Sequence, residues 1–252
     1  MTKTYDLTVI GGGPGGYTAA LQAAERGQKV ALIEEDFLGG TCLNRGCIPS
    51  KTLLKHAEVI ESIEKAKSWG IETGDMILSF DKMRKRKDDV IEKLRGGIAF
   101  LLKQGKIDVY NGRGTAVTKH RIEIEKQDGS EWIETKELII ATGSTPAIPP
   151  IPGLRDIQFD TSDTIFDISD IPASVVIIGG GVIGLELACI FQSLQSKVTI
   201  IEAAPSIIPQ EDEEASKLLE RELKKKGHPY REENHCDRVD GKRRSQSGSC
   251  NR

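Results

Sequence analysis

The strongest constraint on this chain is a pattern that it carries twice. The apolar run Tyr5-Asp6-Leu7-Thr8-Val9-Ile10 leads at once into Gly11-Gly12-Gly13-Pro14-Gly15-Gly16. An alanine-rich helical stretch from Tyr17 to Arg26 follows, then a second apolar run from Lys29 to Ile33, and then Glu34. The same order returns later: Ser174 to Ile178, Gly179-Gly180-Gly181-Val182-Ile183-Gly184, a helix from Leu185 to Leu194, a run from Lys197 to Ile201, and Glu202. In both copies the acid stands at the same offset from the glycines. Short continuous apolar runs suit parallel strands buried on both faces. Alternation of such strands with helices predicts an α/β fold with parallel sheets, and the internal repeat predicts two units of it.

The glycines have separate tasks. Gly11 and Gly179 permit a tight turn, Gly13 and Gly181 let the backbone approach a pyrophosphate, and Gly16 and Gly184 let the helix pack on the strand. The helix N-terminus then faces the phosphates, while Glu34 or Glu202 accepts hydrogen bonds from a ribose. Two copies predict two dinucleotide sites. Glu202 favours a free 2′-hydroxyl, and no arginine follows it in Ala203-Ala204-Pro205, so the second site is expected to prefer NAD to NADP.

Between the repeats lies Gly39-Gly40-Thr41-Cys42-Leu43-Asn44-Arg45-Gly46-Cys47-Ile48-Pro49-Ser50-Lys51. Two cysteines with four residues between them can bring their sulfurs together if the backbone curls as at a helix start. Helix N–H groups and the nearby charge of Lys51 favour a thiolate there. An attacking thiolate and a resolving partner are what thiol–disulfide exchange needs. A structural disulfide or half of a zinc site would share the spacing. Zinc wants two further ligands, and the remaining Cys and His are scattered.

The run GGTCLNRGCIPSK resembles the redox-active segment of the flavin-dependent pyridine nucleotide–disulfide oxidoreductases, and within them that of the dihydrolipoamide dehydrogenases. Glutathione and mercuric reductases share the spacing but usually differ around it. ELIIATGSTPAIPPIPG resembles the family's second flavin segment. The resemblance implies two Rossmann-like domains, FAD on the first repeat and NAD on the second. It implies a redox disulfide between Cys42, the thiol that exchanges with substrate, and Cys47, which passes electrons to the flavin. Gly40, Thr41, Thr142 and Gly143 then count among the cofactor contacts, Lys51 lies near the flavin ring, and Glu186 matches a position that pairs with that lysine. The implied reaction is dihydrolipoamide plus NAD giving lipoamide and NADH. The implied partners are a lipoamide-bearing protein or small disulfide, a second copy of the chain, and a 2-oxo acid dehydrogenase complex. Rival readings are another disulfide reductase of the family, or a nucleotide-binding fragment without activity.

The rest of the chain fits around these segments. Leu53, Leu54, Ala57, Ile60 and Ile63 recur at helical spacing, as do Val90, Ile91, Leu94, Ile98, Leu101 and Leu102 in a helix expected over 88–104. The Lys/Arg cluster at 82–87 reads as a solvated face, and His56 and His120 as surface residues without partners. From Ile107 to Thr135 short alternating runs and Asp128-Gly129 predict a small antiparallel meander. Glu137 to Ala141 is then expected to return to the main sheet. Pro146, Pro149, Pro150 and Pro152 mark a stiff connection. The expected domains are 1–148, binding FAD and carrying the disulfide, and 149–227, a partial NAD-binding domain. Cys189 reads as an apolar helix residue.

After a helix expected from Ser216 to Lys226, residues 228–252 turn polar, basic and aperiodic. They are expected to be a disordered, non-family tail, as a truncation or frameshift after Gly227 would leave, with the family's C-terminal domains absent. His228-Pro229 with Glu233 matches the spacing of the family's acid–base segment and reads as a decoy in that tail. The formal charge of −3 over 252 residues gives no basic field for nucleic acid. No apolar run reaches membrane-spanning length, and no leader precedes the first strand, so a cytoplasmic protein is expected.

Overall fold

The computed structural model describes residues 2–225 and 230–231, which form two compact units. The first comprises residues up to Pro49 and Lys85–Thr145, the second Ser50–Arg84 and the chain from Pro146. The segment 50–84 therefore groups with the later part of the chain instead of staying within 1–148. Its Leu53 and Ile60 share a core with Phe166, Ile190 and Leu194.

In the first unit β1 (Lys3–Ile10) leads through the glycines into α1 (Pro14–Glu25) and β2 (Val30–Glu34). Helix α1 begins three residues before the expected Tyr17, because proline is pre-set for a first turn and Gly15 and Gly16 are absorbed into that turn. Strands β3 (Asp108–Asn111), β4 (Arg113–Thr118), β5 (Arg121–Lys126) and β6 (Gly129–Ile140) complete a six-stranded sheet in the order β3-β2-β1-β6-β5-β4.

Two details differ from the expected meander. Strand β3 pairs parallel to β2, not within the meander. Strand β6 is one continuous strand with two roles: its first residues run antiparallel to β5, and residues from Ile133 to Ile140 run parallel to β1. The turn at Gln127-Asp128 delivers Gly129 opposite Lys126 with φ 131°. The alternation Arg-Ile-Glu-Ile-Glu-Lys in β5 buries Ile122 and Ile124 completely, each worth roughly 1.5–3 kcal/mol.

The start of this sheet carries a polar cluster. Tyr5 donates to Asp108 at 2.5 Å and lies 2.6 Å from Tyr110. Tyr5 has one proton and gives it to the carboxylate, so Tyr110 donates to Tyr5. Burial first, then the bonds to Asp108 and Tyr110, push the Tyr5 phenol well above its ordinary value. The Tyr5 hydrogen bond, helped by Lys3, holds Asp108 below the usual carboxylate range.

Three helices follow β2 in sequence: α2 (Gly40–Asn44), α3 (Cys47–Ala66) and α4 (Phe80–Gln104). Helix α4 starts eight residues before the expected position, since the Lys/Arg-rich stretch favours helix and Phe80 and Met83, three residues apart, pack against the core of Leu53 and Phe166. Ile91, Ile98 and Leu102 are buried, whereas Leu94 and Leu101 are exposed at 39% and 47%. They lie off the stripe defined by the buried three. The 82–87 cluster is not a uniformly solvated face: Lys87 is buried beside Asp88 at 2.8 Å, and Arg84 donates to the Ile168 carbonyl. Nor is His120 without a partner, its Nδ1 lying 3.0 Å from the Thr135 carbonyl. His56 is half-buried, not a surface residue.

In the second unit β7 (Ser174–Ile178), α5 (Val182–Ser193) and β8 (Lys197–Ile201) repeat the first pattern, followed by α6 (Glu213–Lys225) and β9 (Tyr230–Arg231). The sheet order is β7-β8-β9, all parallel. Strand β9 corrects the expectation of a disordered tail at those two residues. Main-chain bonding to the open side of β8 does not need apolar side chains. The rest of the tail expectation, including His228-Pro229 and Glu233, lies outside the described residues. Leu185, Ala188, Phe191, Val198, Ile200, Ile207 and Leu223 form this unit's core, with Cys189 partly buried against it.

Candidate functional site

The two glycine turns are built alike, bond for bond. Gly11 and Gly179 sit at φ 104° and 111°, each donating its N–H to the end of the neighbouring strand, at Ile33 and Ile201, over 2.8 Å. Gly12 and Gly180 donate their N–H to Oε2 of Glu34 and Glu202, both at 2.6 Å. The other carboxylate oxygens accept from Asp36 N–H at 2.9 Å and Ala204 N–H at 2.7 Å. Each acid is thus fixed at its strand end, and each oxygen retains a lone pair for a ribose hydroxyl.

Gly13 and Gly181 are the N-caps of α1 and α5, in extended backbone with no side-chain cap. The first N–H groups of both helices are therefore free of side-chain acceptors, as a phosphate cradle requires. Gly16 and Gly184 complete each turn. A Cβ on Gly16 would lie 1.8 Å from the Gly11 carbonyl oxygen, and one on Gly184 2.1 Å from that of Gly179. These features fit a dinucleotide at each turn.

The first turn has two additions. Gly40, at φ 57°, presses on it so closely that a Cβ there would come within 2.7 Å of the Gly13 Cα. The backbone of Ala141 and Thr142 backs Gly11, where a Cβ would meet the Ala141 oxygen at 2.2 Å and the Thr142 nitrogen at 3.0 Å. The structure thus brings Gly11, Gly13, Gly16, Glu34, Gly40 and Thr142 together. Gly143 follows in exposed backbone at φ 74°, and Thr41 is exposed on α2.

Cys42 is half-buried on α2, and Cys47 is exposed as the first residue of α3. The chain between them folds back tightly. A Cβ on Gly46 would lie 3.2 Å from the Thr41 oxygen and 3.5 Å from the Cys42 Cα. Within the second unit, Lys51 Nζ lies 2.5 Å from Glu186 Oε1 of α5. The lysine is 58% exposed and the glutamate 22%, so the pair contributes little stability and serves mainly to place the two charges.

Sequence reasoning missed the residues that hold α2. Asn44 donates to the carbonyls of Leu38 and Gly40, Arg95 reaches Asn44 from α4, and Arg45 pairs with Asp36. Only Asn44 and Arg45, inside the cysteine segment, had any local signal.

Among known proteins, the sequence model of the family described as pyridine nucleotide-disulphide oxidoreductase matches residues 5–249. That match runs beyond Gly227, into the stretch expected to leave the family. The chain is 43% identical to a dihydrolipoyl dehydrogenase of Acholeplasma laidlawii over 90% of its own length and 68% of the relative's. It is 44% identical to one of Bacillus subtilis (strain 168), covering 90% of this chain and 50% of the relative. Among solved structures it resembles the Cu(II) complex of the HOCl-induced flavoprotein disulfide reductase RclA from Escherichia coli, with TM-score 0.80 and 31% identity. That likeness covers 95% of this chain and 51% of the other. The chain thus spans between half and about two thirds of these relatives. No described helix is long and apolar enough to cross a membrane. With residues 5–249 matched by the family model, the chain belongs to the pyridine nucleotide-disulphide oxidoreductase family.

Proposed function

We propose that this chain carries the redox and nucleotide-binding half of a dihydrolipoyl dehydrogenase, oxidising dihydrolipoamide with NAD. The observation that carries the reading is the first turn. Gly40, two residues before Cys42, lies against Gly13 at the N-terminus of α1, so the cysteine segment starts at the nucleotide cradle. The names of the curated relatives support the substrate class. Dihydrolipoyl dehydrogenase and related flavoprotein disulfide reductases use FAD and NAD(H).

In this reading the first turn would hold FAD, with Glu34 as ribose acceptor, and the second would hold NAD, with Glu202 as ribose acceptor. Gly40, Thr41, Thr142 and Gly143 line the FAD side, and Lys51, oriented by Glu186, supplies positive charge. Cys42 and Cys47 form a disulfide. A substrate thiolate bonds to the Cys42 sulfur and expels Cys47 as a thiolate. The second substrate thiolate then displaces Cys42, releasing lipoamide and leaving both cysteines reduced. FAD held at the first turn would supply the acceptor for that electron pair, and NAD held at the second would supply the hydride acceptor. FAD binding falls to residues within 1–148 and NAD binding to residues within 149–227, and the whole protein works in the cytoplasm as a dimer with a 2-oxo acid dehydrogenase complex.

The test is an absorption spectrum of the purified chain supplied with FAD, followed by NADH formation from dihydrolipoamide and NAD. A flavin spectrum that changes on reduction, with NADH production abolished in C42S and C47S, is expected. A chain that retains FAD but yields NADH at the same rate in C42S would overturn the assignment of the thiols. A second reading, a disulfide reductase with another substrate, is favoured by the likeness to RclA; equal turnover with unrelated disulfides would favour it.

A further inference from the structure

The helix that bears Cys42 is held by a polar clamp that neither the glycine turns nor the cysteine spacing requires. Asn44, the last residue of α2, directs Nδ2 at the carbonyls of Gly40 (2.9 Å), Leu38 (3.2 Å) and Phe37 (3.4 Å). Its Oδ1 accepts a hydrogen bond of 2.5 Å from Arg95 Nε, 51 residues away on α4. The guanidinium of Arg95 stacks 3.7 Å from the centroid of the Phe37 ring. Helix α4 is itself fixed, because Ile91, Ile98 and Leu102 lie in the core that also takes Leu43 of α2. A charged donor on a rigid helix therefore grips the amide that closes the loop 37–40 onto α2.

That loop is fixed at its other end too. Gly39 N–H donates to the Gly12 carbonyl at 2.8 Å, and Gly40 abuts Gly13. Cys42 lies between these two anchors, and Gly46 returns the chain onto its backbone. Anchors on both sides of Cys42 restrict the backbone that carries its sulfur, and the effective concentration of one sulfur at the other depends on that restriction. We propose that Arg95 and Asn44 are positioning residues that tune the Cys42–Cys47 thiol–disulfide equilibrium. The proposal rests on the reading of that pair as redox-active.

The chain is equilibrated without oxygen in graded mixtures of glutathione and glutathione disulfide, and the Cys42–Cys47 bond is counted by alkylation and mass spectrometry. Each bond formed oxidises two thiols while one glutathione disulfide becomes two glutathiones, so the balance closes without the flavin. R95M removes charge and stacking. R95K keeps the charge but not the flat fork. N44D keeps an acceptor for Arg95 and loses the Nδ2 donations.

R95M and N44D are expected to weaken the disulfide about fivefold to tenfold, with R95K recovering part of the loss and thermal unfolding midpoints close to wild type. Should R95M fail to fold, N44D with R95K carries the comparison. Variants whose disulfide forms at the wild-type glutathione ratio would overturn the clamp, as would shifts that merely follow lost thermal stability. A wild-type chain that forms no Cys42–Cys47 bond at any ratio overturns the redox reading itself, a distinct outcome.

Discussion

The two glycine turns share their hydrogen bonds and differ in what surrounds them. In the first unit β1 is flanked by β2 and β6, and Val9 and Ile10 are buried at 0% and 7% exposure. In the second, β7 has β8 alone as neighbour among the described residues, and Val176 and Ile178 are exposed at 48% and 43%. The closing residue differs as well. Gly39, at φ 98°, bonds back to Gly12, while Ile208, a β-branched residue at φ 41°, bonds back to Gly180. Turn geometry is therefore a local property, fixed by glycines and one acid. Burial of the strand is not local, because its covering comes from far along the chain.

The largest expected effect tests the shared part. G16A and G184A each drive a methyl group into a backbone oxygen, and each should cost about 3 kcal/mol or more in urea denaturation. A harmless result in either unit would break the equivalence. Next comes the contrast. G179A meets open space and should cost only the left-handed strain, about 1–2 kcal/mol. G11A adds a clash with Ala141, so it should cost about 2 kcal/mol beyond that. Equal costs would mean that the surroundings do not matter.

E34Q and E202Q probe the acids. An amide has one accepting oxygen, so one of the two N–H groups held by each carboxylate loses its partner. We expect a similar loss of about 1–2 kcal/mol in each unit, with nucleotide affinity reduced at the mutated turn alone. The smallest effect belongs to the far end of the first sheet. Asp108 titrates below its ordinary range because Tyr5 donates to it, so its stabilisation is present above about pH 4 and lost as pH falls through the depressed folded value. D108N should cost under about 1 kcal/mol at neutral pH, and the gap to wild type should close on acidification. On the alkaline side, the raised Tyr5 phenol makes stability fall as pH climbs above about 10. A gap unchanged between about pH 3 and 7 would remove Asp108 from the account.

Whatever was local was legible. The limits of β7 and β8 and the glycine–acid pairing follow from short apolar runs and from spacing, because each bond links residues that the motif itself fixes. The dual role of β6 was not legible. Its alternating and continuous halves read as two strands, and only β1 on one side and β5 on the other make them one. The packing of Leu53 and Ile60 against Phe166 and Ile190 left no sign either, since helical periodicity shows that a face is buried but not by what. Arg95 was equally silent: a charged residue on an amphipathic helix looks solvated until its partner, half a hundred residues away, is placed beside it.

The continuity of β6 has a consequence for synthesis. Its pairing with β1 joins Lys3 to Ile133 and Ile10 to Ile140, so the central ladder of the first unit cannot close until the chain has grown past both. At ribosomal elongation rates that delay is on the order of ten seconds, long compared with helix formation or hairpin closure. During it, β1 has only β2 to pair with, and its other edge stays open to any passing strand. The hairpin of β5 and β6, by contrast, can form as soon as it emerges. It then offers β1 a finished template, so a chain stalled before residue 129 would leave the second edge of β1 open, and one in which residue 140 has emerged would have that edge covered.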